Sequence, residues 1–157
     1  MGFSHLDMDG RAIMVDVTEK VDTFRMAEAK GSIRVNEKVF EAIKRGESSK
    51  GDILAVATTA GIMAAKKTWE LIPMCHQIPI GSYSITFELS DDERVISCIC
   101  KVKTLGKTGA EMEALTGVST SLLTVYDMCK SMDKFMEILY LILDYPHKHY
   151  TFKHFEI

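Results

Sequence analysis

The sequence predicts an α+β domain of the ferredoxin-like type, a split βαβ sandwich in which helices pack on one face of an antiparallel sheet. The apolar pattern supports this fold, because strand-like and helix-like stretches follow one another in the order β-α-α-β-β-α-β. The composition agrees, since 157 residues with 46% apolar and 26% charged side chains suit one domain with its own core. We therefore expect a single domain over residues 1–157, with an N-terminal arm over residues 1–22.

The first half of the chain supplies one strand and two helices. Loose period-two patterning predicts a strand over residues 23–35, with a bulge at Gly31. A short helix follows, because Asn36 is a suitable N-cap, Gly46 is a suitable C′ residue, and apolar side chains lie at helical spacing between them. Residues 50–69 are rich in Ala, Ile and Leu, which predicts a second, largely buried helix.

The second half supplies a hairpin, a long helix and a last strand. Residues 83–89 and 94–104 have strand patterning and are separated by Ser-Asp-Asp-Glu, which predicts an antiparallel pair. Apolar residues recur every three or four positions over residues 109–132, and this predicts the longest helix. The apolar run over residues 135–143 predicts a further strand.

Composition and charge exclude several classes of partner. A net charge of −3 and a pI near 5.9 give no global field that would hold a nucleic-acid backbone. The longest apolar run, Ile138 to Leu143, is far shorter than the roughly 20 residues of a membrane helix. The four cysteines form no Cys-x-x-Cys pair, and no secretory leader is apparent. We expect a cytoplasmic protein with neither a nucleic-acid nor a membrane partner.

Two glutamates open the long predicted helix. Glu111 lies three residues after Thr108, which predicts a capping box at the helix N-terminus. Glu113 points roughly 200° away from Glu111 on a helix. It also lies among Ala, Leu and Gly residues. Because a carboxylate in such surroundings needs hydrogen-bond donors, we expect Glu113 to meet the donors of a ligand.

Asp127 and Lys130 lie three residues apart on the same helix and therefore share a face. One interpretation is an exposed ion pair, which contributes well under about 1 kcal/mol. The other is an acid–base pair, since the Val, Tyr, Met and Cys neighbours would desolvate both groups and shift their pKa values. The residues alone leave both interpretations open.

The stretch LIPMCHQIPI places Cys75 next to His76 between Pro73 and Pro79. Adjacent residues make a poor pair of zinc ligands, and no second Cys/His pair with suitable spacing is present. A neighbouring side chain in extended backbone also points away from the thiol that it would activate. We interpret the stiff segment as a pocket wall that presents His76 to a ligand, with a hydrogen-bonded core histidine as the alternative.

Basic residues near helix ends suggest an anionic ligand. Lys50 precedes the second predicted helix, where the helix dipole disfavours a cation, and a bound anion would explain it. The stretch LGKTG over residues 105–109 fails the P-loop pattern, because Lys101 stands where a glycine is required. What remains around Lys107 is a strand that leads into a helix N-terminus, a generic anion-binding arrangement.

Three segments resemble the cyclic pyranopterin monophosphate synthase family, also called molybdenum cofactor biosynthesis protein C or MoaC. They are MVDVTEK, KGDILAVATTAGIMAAKKTWELIPMCH and GKTGAEMEALTGVSTSLLTVYDMCK, and the resemblance covers residues 5–132. It implies a ferredoxin-like fold and a hexamer built as a trimer of dimers, with active sites between subunits. It also implies that a cyclised dihydro-GTP is converted to cyclic pyranopterin monophosphate and pyrophosphate. No cofactor is implied beyond a divalent metal accompanying the triphosphate.

The resemblance also implies roles for individual residues. Asp127 and Lys130 match the catalytic pair, and Lys50 matches a further catalytic lysine. A lysine with a lowered pKa suits proton transfer at ring nitrogens. Arg25 and Lys66 match basic residues near the triphosphate. Five positions match residues that contact the substrate: Met74, Cys75, His76, Met112 and Glu113.

The spacing along the long helix favours a site shared by two chains. Glu113 and Asp127 are 14 residues apart, or about 21 Å along a helix axis. An antiparallel helix from a second chain would bring the Glu113 of one chain to the Asp127 and Lys130 of the other. Asp16, in the first matching segment, is a weaker candidate for the same site.

Two departures from the family justify a second hypothesis. Gln77 stands where the family usually has a proline, and the segment over residues 133–157 lacks the family's Gly-Gly-Lys-Ser-Gly tail. Pro146 or Lys148 would take the place of the lysine that precedes this tail. The second hypothesis is a catalytically impaired ferredoxin-like module that binds a nucleotide or pterin, and an assay of pyrophosphate release separates the two.

Overall fold

The structure is a computed structural model that describes residues 5–47 and 51–144. Four strands and four helices follow one another in nearly the predicted order, with one short extra helix before the hairpin. They are β1 (Thr23–Arg34), α1 (Glu37–Arg45), α2 (Ile53–Lys66), α3 (Thr68–Leu71), β2 (Ile80–Ser90), β3 (Val95–Gly106), α4 (Glu111–Cys129) and β4 (Glu137–Leu143).

The four strands form one sheet in the spatial order β2-β3-β1-β4, and every neighbouring pair is antiparallel. Two crossovers generate this order, because β1 is separated from β2 by helices and β3 from β4 by α4. That arrangement is the split βαβ topology of ferredoxin-like proteins. The predicted fold class and the predicted β2–β3 hairpin are therefore confirmed.

Period-two alternation divides the sheet into a covered face and an open face. Ala27, Ala29 and Ile33 of β1 are buried on the covered face, against which the helices pack. On the open face, the Glu28 carboxylate makes ion pairs with Lys30 and with Lys101 of β3. The core therefore lies between one sheet face and the helix layer.

Gly31 is needed for close packing of a helix, and the predicted bulge at this position is wrong. Gly31 pairs regularly with Cys98 of β3, and the irregularity lies in the pairing with β4, where Leu139 is the extra residue between the partners of Ser32 and Ile33. A Cβ atom at Gly31 would lie only 2.8 Å from Val118 Cγ1 and 2.9 Å from the Tyr140 carbonyl oxygen. The glycine therefore lets α4 approach the sheet.

The caps of α1 are those that the sequence predicts. The Asn36 side chain accepts a hydrogen bond from the Val39 N–H at 2.9 Å. Gly46 ends the helix with φ at 67°, in the left-handed region that glycine adopts without steric cost. Asp133, in the turn after α4, accepts a further hydrogen bond from the Asn36 N–H at 2.6 Å and fixes the start of α1.

The second predicted helix is present, but the expectation that it is largely buried is wrong for the single chain. Its buried residues repeat every fourth position and form one stripe against α4: Ile53, Ala57, Gly61 and Ala65. Val56 and Met63 on the other side are about half exposed. The expectation failed because α4 and β2 cover only one side of a helix that is apolar all round, and no described element of this chain covers the other side.

The predicted capping box at the start of α4 is also wrong. The helix begins at Glu111 after Ala110, and no side chain caps it. Thr108 therefore lies two residues before the N-cap, outside the position that a capping residue occupies. The Glu111 carboxylate instead lies over Gly109, where a Cβ atom would overlap it.

Candidate active site

The contact between α2 and α4 determines which candidate residues lie together. The Ser121 hydroxyl of α4 donates to the Ala57 carbonyl of α2 at 3.0 Å, and Gly61 lies against Gly117. As residue numbers rise along one helix they fall along the other, so the two helices are antiparallel. Lys66, the last residue of α2, consequently lies level with the first turn of α4.

The N-terminal end of α4 carries a buried carboxylate. Glu113 is 5% exposed, and this burial raises the pKa of its carboxyl, with a smaller contribution from Glu111. Burial also raises the pKa of the Cys75 thiol and of the Tyr83 hydroxyl, and the Glu113 charge adds to both shifts. Within the described part of the chain, no cation is among the groups that shift the Glu113 carboxyl. Glu113 is therefore buried, whereas its predicted contact with the donors of a ligand stays a prediction.

His76 faces a turn of the N-terminal arm. Asp16 Oδ1 accepts a hydrogen bond from the Thr18 N–H at 2.8 Å. Hydrogen bonds from Thr18 lower the pKa of the Asp16 carboxyl, and the charges of Lys107 and His76 lower it further. Lys107 Nζ donates to the Thr18 carbonyl at 2.7 Å. Asp16, His76 and Lys107 therefore belong to one neighbourhood.

The predicted passage from a strand through Lys107 to a helix N-terminus is present, and its role in binding an anion stays a prediction. The Lys107 ammonium is engaged by the Thr18 carbonyl, and the first turn of α4 bears two carboxylates, Glu111 and Glu113. Negative side chains at a helix N-terminus already satisfy its dipole.

Arg25 of β1 organises the loop that leads into α4. Its Nε donates to the Gly106 carbonyl at 3.2 Å, and its Nη2 donates to the Lys107 carbonyl at 3.4 Å. The Thr104 hydroxyl in turn donates to the Pro79 carbonyl and joins this strand end to the segment that carries His76.

The residues that the sequence implicates in substrate contact lie at this end of the helix pair. Met74, Cys75 and His76 are each half-buried in the segment between α3 and β2. Met112 is exposed in the first turn of α4, next to the buried Glu113. The eight candidates at this end are Asp16, Arg25, Lys66, Met74, Cys75, His76, Met112 and Glu113.

Asp127 and Lys130 lie at the opposite end of α4. Lys130 Nζ contacts Asp127 Oδ1 at 2.6 Å, and the two side chains are 60% and 70% exposed, respectively. The hydrogen bond to Asp127 raises the pKa of the Lys130 ammonium. The expectation of a desolvated lysine with a lowered pKa is therefore wrong for the single chain, because the end of α4 is open to solvent.

The candidate residues around Glu113 and the pair formed by Asp127 and Lys130 do not meet within one chain. Glu113 and Asp127 remain 14 residues apart on one continuous helix, a separation of about 21 Å along its axis. Lys50 lies outside the described residues, so its predicted role is not tested. The antiparallel packing nevertheless puts Asp52, the N-cap of α2, at the Asp127 end of the pair.

Sequence reasoning missed Tyr83 and the contact between Lys107 and Thr18. Tyr83 lies on the covered face of β2, opposite Val102, and strand alternation is the signal that would have placed it there. The Lys107 contact joins residues 89 positions apart, and no local pattern reports such a pairing.

Other types of site find no support in residues 5–47 and 51–144. No group of three or more His, Cys, Asp or Glu side chains there is arranged to hold a metal ion. No helix in those ranges combines the length and apolarity of a membrane span. Cys75, Cys98 and Cys100 are free thiols, and burial raises the pKa of Cys98 to about 11 and that of Cys100 to about 12.

The fold and the candidate site define a ferredoxin-like α+β protein with ionisable groups at both ends of a packed helix pair. The model of the MoaC family matches residues 14–145, and the chain belongs to that family. The match includes every candidate residue named above.

Several relatives carry the same name, cyclic pyranopterin monophosphate synthase. The protein of Clostridium botulinum (strain Alaska E43 / Type E3) is 57% identical over 136 residues, which are 87% of this chain and 86% of that protein. The protein of Clostridium acetobutylicum is 50% identical over 90% of this chain and 88% of its own length. The protein of Listeria monocytogenes serotype 4b is 51% identical over 96% of this chain and 94% of its own length.

Among solved structures, a de novo designed protein with a ferredoxin fold aligns with a TM-score of 0.41 and 14% identity, over 83% of this chain and 99% of its own. The fold assignment rests on the strand order of the sheet and not on this likeness.

Proposed function

We propose that this chain is a cyclic pyranopterin monophosphate synthase, a phosphorus–oxygen lyase of molybdenum cofactor biosynthesis. It converts 3′,8-cyclo-7,8-dihydroguanosine 5′-triphosphate to cyclic pyranopterin monophosphate and pyrophosphate. The observation that carries the proposal is the 57% identity, over 87% of the chain, to a Clostridium botulinum protein named for this activity. The free thiols of Cys75, Cys98 and Cys100 fit a reducing cytoplasm, where we place the protein.

We infer that two chains share each active site. Glu113 is buried without a cation acting on it in the described chain, whereas Lys130 is an exposed cation about 21 Å along the same helix. From its first turn to its last, α4 carries the exposed residues Met112, Leu123 and Asp127. An antiparallel second copy of the chain would cover this surface and bring Lys130 to the Glu113 end.

The proposed assembly is a homohexamer, a trimer of dimers. Light scattering of the purified protein is expected to give a mass six times the 17.6 kDa of one chain. Where the hexamer separates into dimers, the expected mass is twice that of one chain. A monomer at micromolar concentration would contradict a site built from two chains.

The proposed chemistry begins with proton transfers at ring nitrogens. Asp127 raises the pKa of the Lys130 ammonium in the single chain. Burial of this pair by the second copy and the substrate would lower that pKa, so that Lys130 can donate a proton as a general acid. Lys50 is the proposed second proton carrier. The Glu113 carboxylate can accept hydrogen bonds from the guanidine-like edge of the base. Because Glu113 is buried away from water, these hydrogen bonds would stabilise its negative charge.

Closure of the cyclic phosphate forms one P–O bond as the bond to pyrophosphate breaks. The departing pyrophosphate carries negative charge, which nearby cations would stabilise. Lys66 is exposed at the end of α2 and is the proposed contact for this charge, whereas Arg25 already donates to two backbone carbonyls and orders the loop. His76 would bind a phosphate oxygen or pass a proton between groups.

The direct test is pyrophosphate release from the cyclised substrate by the purified protein. Lys130→Ala is expected to keep the wild-type melting temperature, because its ion pair is exposed, and to slow product formation by at least about 10²-fold. Lys38→Ala, which removes an exposed lysine of α1, is the matched control and should retain full activity. Near-normal turnover by Lys130→Ala would refute the role given to it.

A second candidate function is a module that binds the nucleotide or a pterin without turning it over. The observation in its favour is the composition of residues 145–157, which lie outside the described residues and contain no glycine where the resemblance implies a glycine-rich segment. Calorimetry that detects substrate binding, with no pyrophosphate released, would favour this module over the enzyme.

A further inference from the structure

We propose that Lys107 is a positioning residue that fastens the N-terminal arm, at the turn over residues 16–20, beside His76. For its effect on turnover, this inference rests on the proposed synthase function. The fastening itself is a property of the folded chain and can be measured without substrate.

The attachment is one hydrogen bond between distant parts of the chain. Lys107 Nζ donates to the Thr18 carbonyl at 2.7 Å. Within the described residues, the other hydrogen bonds of the arm join two residues of the arm itself. One example runs from the Lys20 N–H to the Val17 carbonyl at 3.1 Å. Because most arm residues are exposed, few packing contacts replace this bond if it is lost.

The anchor is more rigid than the arm that it holds. Lys107 follows the last residue of β3, and the Arg25 guanidinium donates to the carbonyls of Gly106 and Lys107. Lys107 is itself half-buried, which limits the conformations open to its side chain. A lysine whose backbone is ordered by Arg25 therefore holds a backbone carbonyl of an exposed turn through an exposed hydrogen bond.

The consequence falls on Asp16 and His76. Thr18 links Lys107 to Asp16, because its carbonyl accepts a hydrogen bond from Lys107 and its N–H donates one to the Asp16 carboxylate. The segment that carries His76 lies against the same strand end, because the Thr104 hydroxyl donates to the Pro79 carbonyl and Gly106 lies beside the Pro79 ring. The charge of His76 also lowers the pKa of the Asp16 carboxyl. The position of the turn therefore sets where a carboxylate lies relative to the imidazole. Releasing the turn is expected to misplace both groups at the wall of the proposed site, and misplacement of this kind lowers the efficiency of a bound reaction.

Hydrogen exchange tests the fastening directly. In full-length Lys107→Ala, the amides of Thr18 and Lys20 should exchange at least about tenfold faster than in wild type, since the turn would open more often. Lys107→Arg, which keeps a donor, should restore protection. Lys103→Ala removes an exposed lysine of β3, four residues before Lys107, and should leave the arm unchanged. If Lys107→Ala is unfolded, Lys107→Met keeps the aliphatic stem and gives the same readout. Unchanged exchange in the folded variant would overturn the inference.

Kinetics test the role in positioning. We expect Lys107→Ala to lower kcat/KM about tenfold, mainly through a higher KM, with partial rescue in Lys107→Arg. A KM equal to that of wild type, in a variant whose arm is unprotected, would overturn the positioning role. If wild type releases no pyrophosphate, the proposed function fails while hydrogen exchange still decides whether Lys107 holds the arm.

Discussion

Substituting Gly61 by alanine perturbs the contact that aligns both ends of the candidate site. A Cβ atom there would lie 2.8 Å from the Gly117 carbonyl oxygen, would approach Ile85 Cδ1 to 2.5 Å, and would overlap the Ser121 hydroxyl. Crowding of this kind costs about 1–3 kcal/mol. Moving the Ser121 hydroxyl, which donates to Ala57, costs about 1 kcal/mol more.

The gain in helix propensity from Gly to Ala, about 1 kcal/mol, offsets part of this cost. The expected net loss is about 2 kcal/mol, which lowers the melting temperature of a chain of this length by about 6 °C. Gly81→Ala is the control, since a Cβ atom there would meet nothing nearer than the Lys103 carbonyl oxygen at 3.6 Å. Thermal unfolding followed by circular dichroism measures both variants. Equal melting temperatures for Gly61→Ala and Gly81→Ala would refute the close packing of α2 on α4.

Two further substitutions test buried carboxylates. The folded-state pKa of Glu113 is raised by burial, so its contribution to stability is full below its ordinary value of 4.5 and is lost as pH rises through the raised value. Glu113→Gln should therefore raise the free energy of unfolding at pH 8 relative to wild type but not at pH 4, and urea titrations that find the same difference at both pH values would contradict this. Asp133→Ala should cost about 2 kcal/mol, because it removes hydrogen bonds from the Asn36 and Phe135 N–H groups. Asp91→Ala, at an exposed ion pair, should leave stability unchanged, and a matching loss there would undermine the account of Asp133.

Much of the fold could be predicted because its signals are local. Asn36 and Gly46 mark the ends of α1 through side-chain capping and backbone freedom, and both act within a few residues of the helix. Period-two patterning identified the strands for the same reason. The capping box at Thr108 failed because it requires the helix to begin at Gly109, whereas α4 begins two residues later, at Glu111.

The candidate site was only partly predictable. The burial of Glu113 follows from its Ala, Leu and Gly neighbours, which are local. The exposure of Lys130 depends on what covers the end of α4, and the hold of Lys107 on Thr18 depends on where the arm crosses the sheet end. Both are properties of tertiary structure, so helical spacing and residue type could not report them.

The measurement that tests the two-chain site most directly is complementation between two inactive variants. His76→Ala removes a group at one end of the helix pair, and Lys130→Ala removes a group at the other end. Co-expressed in equal amounts, the two chains should form mixed assemblies in which about a quarter of the shared sites have both groups intact. Pyrophosphate release at about a quarter of the wild-type rate is the expected result. Activity no higher than that of either variant alone would contradict a site built from two chains.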